Sequence, residues 1–315
     1  MPMKILVLGA GATGGYFAGR IAQVGADVTF LVRERRAAQL AANGLVVKSP
    51  HGNFRLRAQF IKQAEVKPQY DLVFLTCKAY DLDSAIASIR PAIGSGAHVM
   101  PLLNGLAHVD RLAAEFGAAH VIGGTCGIPA TLTPEGEVRQ LGPLHRIAYG
   151  ALPGTSADAR AKLEALHGFY QRTPIDAVLA EDILLELWEK FVLLTTMASM
   201  TTLMRGAIGD VLAADEGEAL VEETLAACAQ TAARAGYPVR DKQMAAFRKL
   251  LFARGSDFAA SMLRDIEGGH RVEADHIVGD MLKRARAAGV DPGPLRVAYA
   301  HLQAYQAKRK REGGA

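Results

Sequence analysis

Cysteine is scarce in this chain of 315 residues: Cys77, Cys126 and Cys228 stand far apart, and no two form a Cys-x-x-Cys pair. Such spacing excludes a disulfide framework and a thiolate metal cage, and leaves three buried free thiols as the expectation. Charge imbalance is equally small. The 36 basic side chains exceed the 32 acidic ones by a formal +4, and aromatic residues do not interleave the basic ones, which excludes nucleic acid as a partner. Long apolar helical runs are missing too. The uncharged stretch from Phe191 to Met204 falls short of the roughly 20 apolar residues that span a bilayer, and five threonines and serines interrupt it. No membrane partner is therefore expected. The strand-like start at Met3 leaves no room for a charged leader and apolar signal segment, which points to the cytoplasm. His270 and His276 have no third ligand at metal-binding spacing, so no metal is expected. The basic run from Lys308 to Arg311 closes the last expected helix, where cations suit the helix dipole, and implies no function.

What is present is a globular composition, half hydrophobic and 22% charged, long enough for two cores. A turn, Gly9-Ala10-Gly11-Ala12-Thr13-Gly14, follows an apolar run that begins at Met3. The first two glycines of such a turn let backbone N–H groups approach a pyrophosphate at a helix N-terminus, and the third lets helix and strand pack closely. The next run, Asp27 to Val32, ends in Arg33. An acid there would receive the ribose 2′-hydroxyl of NAD, whereas a fixed positive charge suits the 2′-phosphate of NADP. Arg35 and Arg36 follow as either phosphate contacts or a solvated helix start.

Short β-rich runs alternate with helical patterns as far as residue 180, which predicts a doubly wound α/β Rossmann domain over 1–180. Expected strands are Lys4 to Leu8, Asp27 to Val32, Asp71 to Thr76, Ala97 to Leu102 and His120 to Gly127. Leu45 to Lys48 and Asn53 to Phe60 read as extended segments around a turn, and Val138 to Leu141 with Arg146 to Tyr149 as an extension of the sheet. From residue 181 only helical periodicity is found, which predicts an all-α substrate and catalytic domain over 181–315. Its expected helices are Glu181 to Met204, Ala219 to Ala235, Phe258 to Glu267, Arg271 to Ala288 and Leu295 to Lys308, with Gly236 and Gly289 as C-caps. The cleft between the two domains is the expected substrate site.

A nicotinamide site supplies hydride, and reduction of a carbonyl also needs a proton donor. Lys190 lies in the most apolar helix, where desolvation favours giving up a proton; Glu186, one turn earlier, equally allows a plain surface pair. Glu273 follows Gly268 and Gly269, which interrupt a helical pattern, and is open to a site role or a helix-dipole role. Asn104 follows the strand ending at Leu102 at the carboxyl edge of the sheet, although Asn-Gly is also an ordinary turn pair. Lys78 follows its strand in the same way.

Four blocks of sequence resemble the ketopantoate reductase (2-dehydropantoate 2-reductase) family over nearly the whole chain. They are GAGATGGYFAGRIAQVGADVTFLVR at 9–33, LTCKAYDLDSAI at 75–86, LLNGLAHVDRL with GGTCGIPATLTPEGEVRQLGP at 102–143, and LWEKF at 187–191 with SMLRDIEGGHRVEAD at 261–275. The resemblance implies NADPH-dependent reduction of a small 2-oxo acid, by family 2-dehydropantoate to pantoate in pantothenate biosynthesis, by a monomer or homodimer. It implies Lys190 as general acid, Glu273 and Asn104 as its catalytic companions touching the cofactor, and Ser261 as receiver of the substrate carboxylate. Arg33 and Lys78 would hold the 2′-phosphate side, and Ala130 would line the cofactor with its backbone.

The pattern also departs from that family. Pantoate-forming members carry asparagines one and two turns after the lysine, where this chain has Leu194 and Ala198, and a further pocket asparagine corresponds to Ile208. A substrate hydroxyl facing these residues would lose its partners, at about 1–3 kcal/mol per buried polar group. A 2-oxo acid with a hydrocarbon or aryl side chain fits such a pocket better. Two rivals remain: a β-hydroxyacid dehydrogenase, disfavoured by Leu193 and Leu194 where an amide is usual, and a non-catalytic NADP-binding sensor, disfavoured by Lys190 and Glu273.

Overall fold

A computed structural model of the chain describes residues 3–94 and 96–313. It divides into two units: one runs to Leu103 and resumes over His108–Ile183, and the other joins Asn104–Ala107 to the chain from Leu184 onward. A linear division at residue 180 misses the excursion at 104–107, because the turn after one strand packs with the helices and not with the sheet it leaves.

In the first unit, strands β1 (Lys4–Leu8) and β2 (Asp27–Leu31) flank helix α1 (Ala12–Gln23), and helix α2 (Glu34–Asn43) leads to β3 (Leu45–Lys48), β4 (Phe54–Leu56) and β5 (Gln59–Ile61). After β6 (Leu72–Leu75), helix α3 (Leu82–Ile93) and β7 (His98–Pro101) comes helix α4 (Ala107–Phe116), which starts in the second unit. The remainder is β8 (Ile122–Gly127), β9 (Ala130–Leu132), β10 (Glu137–Gln140), β11 (Arg146–Ala151), helix α5 (Asp158–Tyr170) and β12 (Asp176–Leu179).

The main sheet has the order β5-β2-β1-β6-β7 and is parallel throughout. Parallel strands are covered on both faces, which is why β1 and β6 read as unbroken apolar runs: Ile5, Leu6, Val7 and Leu72 to Leu75 have no exposed surface. The strand order reverses direction at β1, between β2 and β6, and this switch point lies directly above the glycine-rich turn. The core beneath it is aromatic, with Tyr16, Phe17, Phe30, Phe74, Tyr149 and Tyr170 fully buried.

Two expectations need correction. The segment Asn53 to Phe60 is not one strand: β4 pairs antiparallel with β3, whereas β5 pairs parallel with β2, so the chain must break between them to serve two sheets. Nor do the runs around Val138 and Arg146 extend the main sheet. β10 joins β3 and β9 in a four-stranded sheet, and β11 lies between β8 and β12 in a three-stranded one. The main sheet stops at β7 because β8 turns to pair antiparallel with β11, from Ile122↔Ala151 to Gly127↔Arg146, leaving only the single bridge Val99↔Val121 behind. Strands β9 and β12 were not expected.

The second unit is helical: α6 (Ile183–Met204, beginning one residue inside the first unit), α7 (Ile208–Val211), α8 (Gly217–Arg234), α9 (Asp241–Leu251), α10 (Ser261–Glu267), a π turn (Asp275–Gly279), α11 (Asp280–Ala287) and α12 (Leu295–Arg311). Helix α9 escapes sequence reading because Phe247 and Leu251 are its only fully buried side chains. The expected helix from Arg271 starts at Asp275 with a π turn, and the expected helix from Phe258 starts at Ser261. Helix α10 ends at Gly268-Gly269, where Gly269 takes φ +68°, a left-handed conformation that suits glycine. No helix among the described residues is long and apolar enough to cross a membrane.

Candidate active site

The turn after β1 is built by two different glycine requirements. Gly9 has φ +97°, and its N–H donates to the Leu31 carbonyl at 3.0 Å, which closes the turn over the end of β2. A Cβ on Gly14 would lie 2.3 Å from the Gly9 carbonyl oxygen and 2.6 Å from Thr76 Oγ1, so α1 approaches the strands only without a side chain there. Gly11, by contrast, would carry a Cβ into space with no protein atom within 4 Å. No side chain caps α1, so its first-turn amides, including those of the half-buried Ala12 and Thr13, remain for a ligand.

From this turn a cavity of about 550 Å³ runs along the carboxyl ends of β1, β2, β5 and β6. Gly9, Ala10 and Gly11 line one end, and Arg33, Glu34, Lys62 and Gln63 line the other. Its size and its position at the switch point fit the adenosine half of a dinucleotide. Arg33 is exposed at the rim, and among the described residues its guanidinium has no ion-pair partner. Lys78 comes one residue after Cys77, which lines the wall, but is not itself part of the lining. Ala130 starts β9 opposite Gln140, half-buried and away from the lining.

The two other arginines part company. Arg35 is exposed and reaches the Pro134 carbonyl at 3.3 Å. Arg36 is buried: its Nε–H donates to the Ala10 carbonyl at 2.9 Å and its Nη1–H to the Gly136 carbonyl at 2.7 Å. Arg36 is therefore not a solvated face: it braces the glycine-rich turn from behind, and it also lines the cavity. Sequence reading also missed Lys62, whose Nζ lies 2.8 Å from Glu34 Oε2; only the pairing of β5 with β2 brings it to the cavity.

In the second unit Lys190 is half-buried on α6, beside Phe191 and Val192, which are closed off completely. Its neighbour Glu189 is 1% exposed and is consumed by Arg240, which donates to it from Nε at 2.8 Å and from the backbone N–H at 2.9 Å. Glu186 accepts from Arg240 Nη2 at 2.6 Å. Leu194, one turn after Lys190 on the same face, is half-buried. Ala198 and Ile208 have no exposed surface.

Glu273 is buried, and α12 fixes the segment that carries it. Gln306 bonds both the N–H and the carbonyl of Val272, Tyr305 donates to the His270 carbonyl at 2.8 Å, and Tyr299 donates to Asp275 at 2.7 Å. The π turn that follows is a local irregularity of a kind frequent at functional sites. The turn carrying Asn104 belongs to this unit. A Cβ on Gly105 would lie 2.5 Å from the His276 carbonyl oxygen and 3.9 Å from the Phe191 ring, so the turn sits against both the Glu273 segment and the Lys190 helix. Ser261 opens α10, exposed.

A dinucleotide-type cavity in an α/β unit, followed by a helical unit that brings a lysine helix, a buried glutamate and an Asn-Gly turn together, defines a nicotinamide-dependent oxidoreductase. The family model described as ketopantoate reductase PanE/ApbA matches residues 5–154, and its C-terminal model matches residues 182–306. The chain belongs to the ketopantoate reductase family. It is 31% identical over 307 residues to "Uncharacterized oxidoreductase YkpB" of Bacillus subtilis, covering 98% of this chain and 100% of that one. A crystal structure of 2-dehydropantoate 2-reductase from Geobacter metallireducens is similar at TM-score 0.84 and 27% identity, over 96% of this chain and 99% of that one. The ternary structure of D-mandelate dehydrogenase with NADH and anilino(oxo)acetate shares the fold at TM-score 0.84 and 21% identity, over 98% and 100%.

Proposed function

We propose that the protein reduces a 2-oxo acid to a 2-hydroxy acid with NADPH, and that Lys190 protonates the carbonyl oxygen. The observation that carries this reading is the place of Lys190: a half-buried lysine between the buried Glu189, which is committed to Arg240, and the buried Phe191. The basic end of the cavity, Arg33 above all, supports NADPH over NADH. The glycine-rich turn would hold the pyrophosphate of NADPH, whose reduced nicotinamide would supply a hydride to the carbonyl carbon. Lys190 donates its proton as negative charge grows on the oxygen, Glu273 and Asn104 hold the lysine and substrate in register, and Ser261 takes the carboxylate. The test follows NADPH absorbance with a panel of 2-oxo acids. Lys190→Ala is expected to bind NADPH as before and to lose about 10²–10⁴-fold in kcat; unchanged turnover removes Lys190 from the mechanism.

One observation favours a substrate other than 2-dehydropantoate. Leu194 presents partly exposed apolar surface one turn after Lys190, where the family resemblance implies an amide. A 2-oxo acid with a hydrocarbon or aryl side chain leaves no hydroxyl unpaired against it. Leu194→Asn is then expected to raise kcat/KM for 2-dehydropantoate relative to the apolar acids. A wild-type preference for 2-dehydropantoate overturns this second reading and leaves the first intact.

A further inference from the structure

Besides Arg33 and Arg36, the dinucleotide cavity is lined by Lys62, a cation that its sequence motif does not announce. β5 runs parallel to β2 with Leu31 opposite Ile61, and the Val32 N–H donates to the Ile61 carbonyl at 3.0 Å. Neighbouring parallel strands end at the same edge, so Arg33-Glu34 and Lys62-Gln63 leave the sheet side by side and line the same end of the cavity. The Lys62 backbone is fixed from behind, its N–H donating to Glu65 Oε2 at 2.7 Å. Its ammonium lies 3.0 Å from Glu34 Oε1 and 2.8 Å from Glu34 Oε2. Both side chains are largely open to solvent, 51% and 79% exposed, and an ion pair of that kind holds its partners weakly.

We infer that Lys62 is a second ligand for the 2′-phosphate of the cofactor, and that Glu34 is its exchangeable counter-ion. The inference rests on the NADPH reading above and names the residues that enforce it. A phosphomonoester dianion brings three acceptor oxygens and nearly two charges. Arg33 neutralises one of those charges and Lys62 the other, leaving Glu34 to solvent. When the 2′-position carries a hydroxyl instead, Lys62 stays with Glu34, and the carboxylate accepts the hydroxyl proton as an acid at the end of β2 does in NAD sites. The pair thus works as a selector: the phosphate draws Lys62 off the carboxylate, whereas the hydroxyl leaves the pair closed.

Isothermal titration of 2′,5′-ADP and 5′-AMP tests the inference without turnover, since both lack the nicotinamide and they differ only in the 2′-phosphate. Wild type is expected to prefer 2′,5′-ADP. Lys62→Met should weaken 2′,5′-ADP about tenfold, the loss of one charge-assisted contact, and leave 5′-AMP within about twofold. Glu34→Gln should tighten 2′,5′-ADP and weaken 5′-AMP. Both positions are exposed, so unchanged melting temperatures are expected for the variants. If wild type prefers 2′,5′-ADP but Lys62→Met keeps the same ratio, the selector is overturned and the NADPH reading stands. If Glu34→Gln changes neither ligand, the counter-ion role is overturned. Equal binding of both nucleotides by wild type overturns the NADPH reading and the selector together.

Discussion

Arg36 on α2 grips the carbonyl of Ala10 in the glycine-rich turn at 2.9 Å, and with the same guanidinium holds the Gly136 carbonyl in the β9–β10 turn at 2.7 Å. Burial lowers the affinity of Arg36 for its proton, but a guanidinium keeps its charge in any protein setting. One side chain therefore ties the cofactor turn to a second sheet.

Arg36→Met should release two carbonyl acceptors without opening a large void. The expected cost is about 1–3 kcal/mol of stability, read from urea denaturation. Dinucleotide affinity should weaken as well, because the Ala10 carbonyl is free to swing. Arg36→Lys, with a single point charge, should not restore both bonds. Unaltered stability in Arg36→Met would show that the brace is dispensable.

Gly11 and Gly14 should fail in opposite ways. Gly14→Ala forces a methyl to within 2.3 Å of a backbone oxygen, so the free protein should lose about 1–3 kcal/mol of stability, the usual cost of overpacking. Gly11→Ala meets no protein atom within 4 Å and should melt like wild type, while the melting-temperature rise on adding NADPH disappears. A Gly11→Ala protein that still gains stability from NADPH would place the pyrophosphate elsewhere.

His98 should make stability depend on pH. It starts β7 in a closed ring: Lys162 Nζ donates to Nδ1 at 3.2 Å, Nε2 bonds Ser156 at 2.7 Å, Ser156 donates to Asp158 at 2.5 Å, and Asp158 lies 3.2 Å from Lys162. The ammonium can only donate, so Nδ1 must accept and the ring stays neutral. Burial, and then the Lys162 charge, hold the His98 pKa below the usual 6.5. Asp158 is held at about 2, chiefly by the Ser156 hydroxyl, and so stays ionised throughout. A depressed histidine means that the unfolded chain takes up the proton first. Stability is full above about pH 6.5 and falls as the pH drops below it, by at most about 1.4 kcal/mol per pH unit for one site. His145 is also depressed, by burial and then by the stacked His51 and Arg20, and adds a second decline of the same sign. Denaturation midpoints between pH 7.5 and 5 check this, and His98→Gln should flatten part of the decline.

The three thiols should separate by reactivity. Burial raises the Cys228 thiol to about 12, and it has no exposed surface, so it should resist alkylation in the native protein. Cys77 and Cys126 are half-buried rather than buried, which corrects the expectation from sequence. Cys77 lines the dinucleotide cavity, so NADPH should slow its alkylation and leave Cys126 unaffected, with peptide mass mapping as the readout.

Sequence alone determined the α/β unit, its glycine-rich turn, the basic end of β2 and the lysine-bearing helix α6, because each depends on residues close in the chain. Strand runs, a Gly-x-Gly-x-x-Gly spacing and helical periodicity are local patterns, and local sterics enforce them. Tertiary structure alone decided which strands share a sheet: Asn53 to Phe60 splits between two sheets, and β10 and β11 leave the main one, because pairing depends on partners far away in sequence. It also decided that Arg36 is a brace, that Ala198 is closed off, and that the Asn104 turn lies against the segments of Lys190 and Glu273. Lys62 shows the reason most plainly. Its charge is visible in the sequence, but its place beside Arg33 exists only once β5 hydrogen-bonds to β2.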